Sequence, residues 1–297
     1  MTTFKKLLEE KKVIISDGAW GTELMKIGFK EGCPEIWNLT HPEEVKKIAQ
    51  SYIEAGSEII MTNTFGGSFL KLKKYNLESQ IIEINKIGVE ISRAVANKSL
   101  VFASMGPTGE FLSPVGEITE KEMIENFIGQ VKGFIQGKAD GIVLETMSDI
   151  NEVQCAIKAI RELSEMPVIV SMTFSMGPKG FATIMGITPE KFGETMEKEK
   201  VDAIGTNCTL SINDFISLVK SIKNSTSFPI WVKPNAGIPQ IKNEKIFYPD
   251  TAEYMTGYIK DLIQQGAKII GGCCGTTPQH IKLMVKERNT IIQHEVF

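Results

Sequence analysis

The sequence predicts a single α/β domain folded as a (β/α)8 barrel, or TIM barrel, on three observations. Eight short runs rich in β-branched and other apolar residues recur along the 297 residues. Each run is followed by a longer segment whose apolar residues have helical spacing. The first run leads into Asp17-Gly18-Ala19-Trp20-Gly21-Thr22, which lacks the G-x-G-x-x-G turn typical of an open doubly wound sheet. Strands that alternate with helices form a parallel sheet, and eight such units in a chain of this length favour a closed barrel.

The apolar runs are the predicted strands. In chain order they are Val13–Ile15, Glu58–Met61, Leu100–Ser104, Gly141–Leu144, Val168–Thr173, Ala203–Gly205, Ile230–Val232 and Ala267–Ile270. Helical spacing is clearest at Pro42–Ala55 and at Thr119–Gln136, where Thr119 precedes acidic residues as an N-cap does. Glycines stand where three of the helices should end, at Gly56, Gly137 and Gly266. One barrel domain is therefore expected over residues 1–297, with residues 290–297 as a tail.

Composition excludes several classes of function. The formal net charge of −3 and the pI near 5.8 give no basic footprint for nucleic acid or for an acidic membrane surface. No run approaches the roughly 20 apolar residues that span a bilayer, and the N-terminal residues lack the apolar centre of a secretory signal. Five cysteines, an odd number in a chain that is 42% hydrophobic, indicate a protein of the reducing cytoplasm rather than a disulfide scaffold.

Three of the cysteines follow predicted strands. Cys208 comes after the sixth strand, and Cys273 and Cys274 come after the eighth within Gly271–Gly275. In a barrel these ends meet at one rim, and glycines permit the backbone angles that two adjacent ligands need. Three thiols with one open position are the ligand count of a catalytic zinc. The alternative, a strained disulfide between Cys273 and Cys274, leaves Cys208 without a role.

The remaining metal-ligand residue types lie elsewhere. Cys33 falls in a polar loop and Cys155 on an apolar helix face, so both are expected to be structural. The three histidines, His41, His280 and His294, all fall outside the strand ends and are not expected to be ligands.

Carboxylates also follow two strands. Asp17 ends the first strand and Glu145 ends the fourth. Either side chain could cap the loop that follows it, or could bind a cationic group of a substrate at the rim.

At this point the residues resemble the zinc-dependent homocysteine S-methyltransferases, and most of all the homocysteine-binding barrel of cobalamin-dependent methionine synthases. The resemblance extends over nearly the whole chain. It is carried by Asp17-Gly18-Ala19-Trp20-Gly21-Thr22, Asn63-Thr64-Phe65-Gly66, Glu145-Thr146-Met147, Gly205-Thr206-Asn207-Cys208, Pro234-Asn235-Ala236-Gly237 and Gly271-Gly272-Cys273-Cys274-Gly275.

The resemblance implies a site for zinc and for homocysteine. Cys208, Cys273 and Cys274 would hold Zn²⁺, and Asn235 would lie beside the metal, occupying its fourth position when substrate is absent. The implied substrate contacts are Asp17 and Glu145 for the amino group and the backbone around Ser104 and Met105 for the carboxylate.

The methyl donor is the least determined part of this expectation. The sequence ends where the folate-binding barrel of those enzymes would begin and contains no Asp-x-His-x-x-Gly cobalamin-ligand motif. The expected donor is therefore methylcobalamin on a separate corrinoid protein. Gly66-Gly67 replaces the aromatic residue of betaine-using relatives, and relatives that use S-methylmethionine differ after the second strand, which disfavours both donors.

Other functions stay open at this stage. The acceptor could be another thiol or a selenol, because the sulfur site would be the same. The barrel could also be a non-catalytic zinc subunit that only docks a corrinoid protein.

Overall fold

The computed structural model describes residues 2–242 and 245–294. The strands in this part of the chain are β1 Ile14–Ile15, β2 Ile59–Ile60, β3 Leu100–Met105, β4 Gly141–Met147, β5 Val168–Met172, β6 Ser175–Gly177, β7 Gly180–Ala182, β8 Ala203–Asn207, β9 Ile230–Lys233, β10 Gln240–Lys242, β11 Lys245–Phe247 and β12 Ala267–Ile270. The α-helices are α1 Thr3–Glu10, α2 Gly21–Lys26, α3 Trp37–Thr40, α4 Pro42–Glu54, α5 Phe69–Lys73, α6 Ile81–Val95, α7 Glu120–Gln136, α8 Ile150–Leu163, α9 Pro189–Met196, α10 Ile212–Asn224, α11 Ala252–Thr256, α12 Ile259–Gln264 and α13 Pro278–His294.

Eight parallel strands form the barrel, in the order β1-β12-β9-β8-β5-β4-β3-β2. A parallel bridge between Ser16 and Ile59 joins the two ends of this order and closes the sheet. Each barrel strand lies at a predicted run, so the (β/α)8 prediction is confirmed. Two antiparallel hairpins, β6–β7 after β5 and β10–β11 after β9, were not predicted.

The helix boundaries follow their sequence signals. Thr119 caps α7 with a complete capping box, in which its hydroxyl and the Glu122 carboxylate each accept from the other's backbone N–H. α4 ends just before Gly56, whose φ of +99° is a left-handed conformation that suits glycine.

Aromatic side chains close the amino-terminal end of the barrel. Phe4 of α1 packs edge-on against Phe102, with ring centroids 4.9 Å apart, and belongs to an interior cluster with Trp231 and Ile269. The interior is thus a packed core at this end, and open space is left at the carboxyl ends of the strands. Among the described residues, no helix combines the length and apolar composition needed to cross a membrane.

The predicted tail is wrong for residues 290–294. These residues belong to α13, and Ile291 packs into the core with 7% of its surface exposed. Residues 295–297 of the predicted tail lie outside the described part of the chain.

Arg288 of α13 and Lys11 enclose Glu58 beside the amino-terminal end of β1. Arg288 Nη1 lies 2.8 Å from Glu58 Oε2 and donates to the Val13 carbonyl at 2.7 Å. Lys11 Nζ lies 2.9 Å from Glu58 Oε1, and the Ile15 amide donates to Oε2 at 3.0 Å. Burial alone would raise the pKa of Glu58, but these donors outweigh it and hold the pKa below its usual value of 4.5.

Glu58→Gln should lower the free energy of unfolding by about 1–2 kcal/mol at neutral pH, after allowance for partial solvent exposure. Because the folded pKa is below the unfolded one, this contribution is present above about pH 4.5 and is lost as the pH falls through the folded pKa. Urea unfolding of both proteins across this range measures the difference. The exposed Glu43→Gln variant serves as control. A difference in the free energy of unfolding that stays constant as the pH falls would contradict this role of Glu58.

Candidate active site

The three cysteines of the strand ends converge. The Sγ atoms of Cys208, Cys273 and Cys274 all lie within 4.8 Å of one another. Cys208 follows β8 and the other two follow β12, so β9 lies between them in the sheet. The end of β9 is hydrogen-bonded to both cysteine segments. Lys233 O accepts from the Cys208 amide at 3.1 Å, and Pro234 O accepts from the Cys273 amide at 2.8 Å.

The backbone around the cysteines is unusual. Cys208 and Thr209 have φ values of +66° and +55°, a left-handed conformation that costs free energy in residues other than glycine. Gly272 leaves room for the turn that carries Cys273 and Cys274, since a Cβ there would lie 2.3 Å from Thr276 Oγ1. That hydroxyl donates to Cys273 O at 2.7 Å and fixes the turn. The backbone strain of Cys208 and Thr209 therefore lies at the cysteine cluster.

The donor set suits a thiophilic metal ion. Three sulfurs each about 2.3 Å from one tetrahedral zinc lie roughly 3.8 Å apart, which agrees with this cluster. Interactions among the three thiols lower the pKa of Cys208 and raise the pKa of Cys273 and Cys274. Asn207 Nδ2 donates to Cys273 Sγ at 3.7 Å and orients this thiol. The three-cysteine cluster therefore fits a metal site.

Asn235 lies beside this cluster. Its side chain contacts Cys208, and its Oδ1 is buried without a hydrogen-bond partner in the described part of the chain. A buried oxygen without a donor is costly unless another group satisfies it, and a metal ion at the thiols is one such group. The resemblance implies a position beside the metal for Asn235.

A cavity of about 260 Å³ opens above the cysteines. Its walls combine the thiols, two carboxylates, one ammonium and two aromatic rings. The lining residues are Gly18, Ala19, Trp20, Gly21, Pro34, Glu35, Thr62, Asn63, Phe65, Ser104, Glu145, Thr146, Cys208, Lys233, Gly272, Cys273 and Cys274. The volume suits a small polar molecule such as an amino acid.

Glu145 lines this cavity. The Ser104 hydroxyl donates to its Oε1 and orients the carboxylate. Burial raises the pKa of Glu145 above its usual range, and the neighbouring charge of Lys233 opposes that shift.

Asp17 lies behind the cavity wall and does not line it, unlike the implied direct contact with substrate. It is fully buried, and its Oδ1 accepts from Lys233 Nζ at 2.6 Å. Its Oδ2 accepts from Trp20 Nε1 and from the Met61 amide, both at 2.8 Å. With three donors already bound, Asp17 holds β1, β2 and β9 together and positions two cavity residues, Trp20 and Lys233.

Two backbone N–H groups in the segment implied for the substrate carboxylate already donate to other groups. The Ser104 amide donates to Thr62 Oγ1 at 3.1 Å, and the Gly106 amide donates to Phe65 O at 2.9 Å. Met105 is fully buried and lies outside the cavity lining. Of the implied substrate residues, the structure thus brings Ser104 and Glu145 to the cavity.

Lys233 is the functional residue that sequence reasoning missed. It is 3% exposed and lies at the end of β9, two residues after Trp231, which packs inside the barrel. Alternation along a strand puts both side chains on one face, so a lysine here had to point inward. Although burial disfavours its charge, Asp17 and Glu145 hold the pKa of Lys233 above its usual range.

The other two cysteines and the three histidines lie in different surroundings. Cys33 and Cys155 are buried away from the cluster. His280 contacts Thr277 and the Asp250 carbonyl, and His41 stacks on Trp37. His294 ends α13.

Gly66 and Gly67 have a structural reason of their own. A Cβ on Gly67 would lie 2.2 Å from Asn85 Oδ1, and one on Gly66 would lie 3.0 Å from Glu35. Their small size is required by these neighbours and says less about the donor than the sequence suggested.

Solved structures share this fold. The oxidized form of the homocysteine methyltransferase MmuM from Escherichia coli superimposes with a TM-score of 0.79 at 20% identity, covering 94% of this chain and 97% of that one. The metallated form of the same enzyme gives a TM-score of 0.77 at 19% identity, with the same coverage.

Comparison with characterised sequences identifies the family. The methionine synthases of Mycobacterium leprae (strain TN) and Mycobacterium tuberculosis (strain ATCC 25618 / H37Rv) are each 30% identical to this chain over 295 residues. The match covers 92% of this chain but 24% of each relative, so the chain spans about a quarter of their length. The homocysteine S-methyltransferase profile matches residues 14–288 and supports a methyltransferase. This chain belongs to the homocysteine S-methyltransferase family.

Proposed function

We propose that this barrel catalyses zinc-dependent transfer of a methyl group to the thiol of homocysteine, giving methionine. The observation that carries the proposal is the convergence of Cys208, Cys273 and Cys274 on the wall of one small cavity that Glu145 also lines. Membership of the family supports homocysteine as the acceptor. A purely structural zinc would have four protein ligands, whereas three thiols leave a position for substrate.

Cys208, Cys273 and Cys274 would hold the metal, and Asn235 is the candidate for the fourth position before substrate binds. When bound, zinc lowers the pKa of a coordinated thiol, so that homocysteine reacts as the thiolate at neutral pH. The homocysteine sulfur then bonds the methyl carbon, while the donor keeps the electron pair of the broken bond. The thiol proton leaves to solvent.

The side chains of the cavity would position the substrate. Ser104 holds Glu145 so that its second oxygen can accept from the substrate amino group. Asp17 would act indirectly, because its hydrogen bonds hold Trp20 and Lys233 in the cavity wall. Orientation of two reactants in this way can supply several kcal/mol of the rate acceleration, on the order of 7–11 in favourable models.

We propose a methylcobalamin-bearing corrinoid protein as the donor, in keeping with the likeness to methionine synthases. Both hairpins leave the carboxyl ends of barrel strands, on the same face as the cysteines. They and their flanks expose large apolar side chains: Met176 (55%), Ile184 (83%), Ile238 (56%), Ile241 (83%), Ile246 (64%) and Phe247 (49%). Exposed apolar patches of this kind mark interaction surfaces, and they support a protein-borne donor over a small free one.

The donor can be tested by offering homocysteine with methylcobalamin, S-methylmethionine, betaine and methyltetrahydrofolate in turn, and measuring methionine. We expect methylcobalamin to support turnover of the zinc-loaded protein and the other three to stay near the uncatalysed rate. A variant that lacks the cysteine cluster is the control. Turnover with S-methylmethionine or betaine that matches or exceeds methylcobalamin would replace the donor assignment. Zinc binding without methylation by any donor would instead favour a docking subunit.

A further inference from the structure

We infer that Lys233 binds the carboxylate of the acceptor amino acid while Glu145 binds its amino group. This inference rests on the proposed function, since it concerns the head group of the same thiol substrate. It assigns a substrate contact to a residue outside the resemblance.

Lys233 is the one cationic side chain among the residues that line the cavity in the described part of the chain. Its ammonium has three N–H donors, and Asp17 is its single hydrogen-bond partner among the described residues, at 2.6 Å. The side chain is only 3% exposed, so water satisfies little of what remains. Buried donors without partners are costly, and an anionic ligand in the cavity would satisfy them.

The charges around the cavity are arranged for a zwitterion. Asp17 and Lys233 form a buried ion pair, and Asp17 is saturated because it accepts from three donors. Glu35, the other carboxylate of the lining, accepts from the Gly66 amide and the Cys33 thiol. Glu145 lines the cavity with one oxygen bound to Ser104 and is the carboxylate left for an ammonium. Lys233 and Glu145 thus offer one positive and one negative group to a substrate head that carries one of each.

Three neutral N–H groups at or beside the cavity wall already donate to other partners. The amides of Ser104 and Gly106 donate to Thr62 and Phe65. The Trp20 indole N–H donates to Asp17. The Lys233 ammonium lines the cavity with N–H donors beyond the one that Asp17 accepts, and unlike a backbone amide it brings a full charge.

Three thiols of equal chain length separate the two head-group contacts. L-Homocysteine carries both groups, 4-sulfanylbutanoate lacks the amino group, and 3-sulfanylpropylamine lacks the carboxylate. Isothermal titration calorimetry with the zinc-loaded protein measures their binding without a methyl donor. We expect 3-sulfanylpropylamine to bind about 10–100-fold more weakly than homocysteine, as loss of a charged hydrogen bond predicts.

Lys233→Gln keeps a donor for Asp17 and removes the charge. It should weaken homocysteine and 4-sulfanylbutanoate by about 10–100-fold and change 3-sulfanylpropylamine by less than about 3-fold. The double variant Asp17→Asn, Lys233→Gln removes both charges of the buried pair and should give the same pattern if the single variant folds poorly. Lys268→Gln, on β12 and outside the cavity lining, is the matched control and should change none of the three.

Equal binding of homocysteine and 3-sulfanylpropylamine by the unaltered protein would overturn the assignment. So would an equal loss for all three thiols in both Lys233 variants, because a lysine that only balances the charge of the thiols would affect each in the same way. If the protein binds thiols with the expected carboxylate dependence but methylates none of them, the proposed function fails and the assignment of Lys233 stands.

Discussion

Replacing Cys273 by alanine should abolish zinc binding and homocysteine methylation together. The three Sγ atoms form one cluster, and two remaining thiols leave the metal with half of a tetrahedral shell. Loss of metal activation removes several kcal/mol of stabilisation, so the rate should fall at least about 10²–10³-fold. Cys208→Ala and Cys274→Ser should behave alike, since each removes one ligand. Metal content by mass spectrometry and methionine formation by chromatography measure the two effects.

Cys155→Ala is the matched control for this result. Cys155 is also a buried free thiol, but it lies on α8 away from the cluster. Its replacement should lower stability modestly through lost packing, while zinc content and rate stay unchanged. A Cys273→Ala protein that keeps both stoichiometric zinc and full activity would show that the cluster is not the metal centre.

The second large effect is expected for Glu145→Gln, which should raise the KM for homocysteine by about 10–100-fold with zinc content unchanged. Glutamine still accepts from Ser104, so the side chain keeps its position. It lacks the charge that would pair with the substrate amino group, and it leaves Lys233 with Asp17 as its remaining carboxylate neighbour. Steady-state kinetics with homocysteine as the varied substrate measure the change.

Glu152→Gln provides the comparison for this second effect. Glu152 is a buried carboxylate that accepts from the Thr108 amide and hydroxyl, both at 2.7 Å, and burial raises the pKa of Glu152 as it does for Glu145. Its loss should lower stability and leave the KM unchanged. If Glu145→Gln instead lost zinc at an unaltered KM, Glu145 would belong to the metal site and not to the substrate site.

The barrel could be predicted because its signals are local. Each β-branched run is followed by a helical stripe, and Thr119 and Gly56 mark helix ends by their own backbone chemistry. The hairpins β6–β7 and β10–β11 gave no such signal, because each of their strands has three residues. Three residues are too few to show the alternation by which a half-buried strand is recognised.

The cysteine cluster could be predicted because barrel topology brings the ends of β8 and β12 together whatever the side chains are. The role of Asp17 could not be predicted in the same way. Its partner Lys233 is 216 residues away in sequence and directly follows a run that reads as apolar. Side-chain packing across three strands decides whether a strand-end carboxylate faces a cavity or is hydrogen-bonded to neighbouring donors.

Zinc K-edge X-ray absorption, recorded before and after addition of homocysteine, tests the central claim most directly. The account predicts three sulfur ligands and one lighter ligand in the substrate-free protein, and four sulfur ligands once homocysteine is bound. A sulfur count that stays at three after the protein is saturated with homocysteine would contradict direct activation of the substrate thiol by the metal.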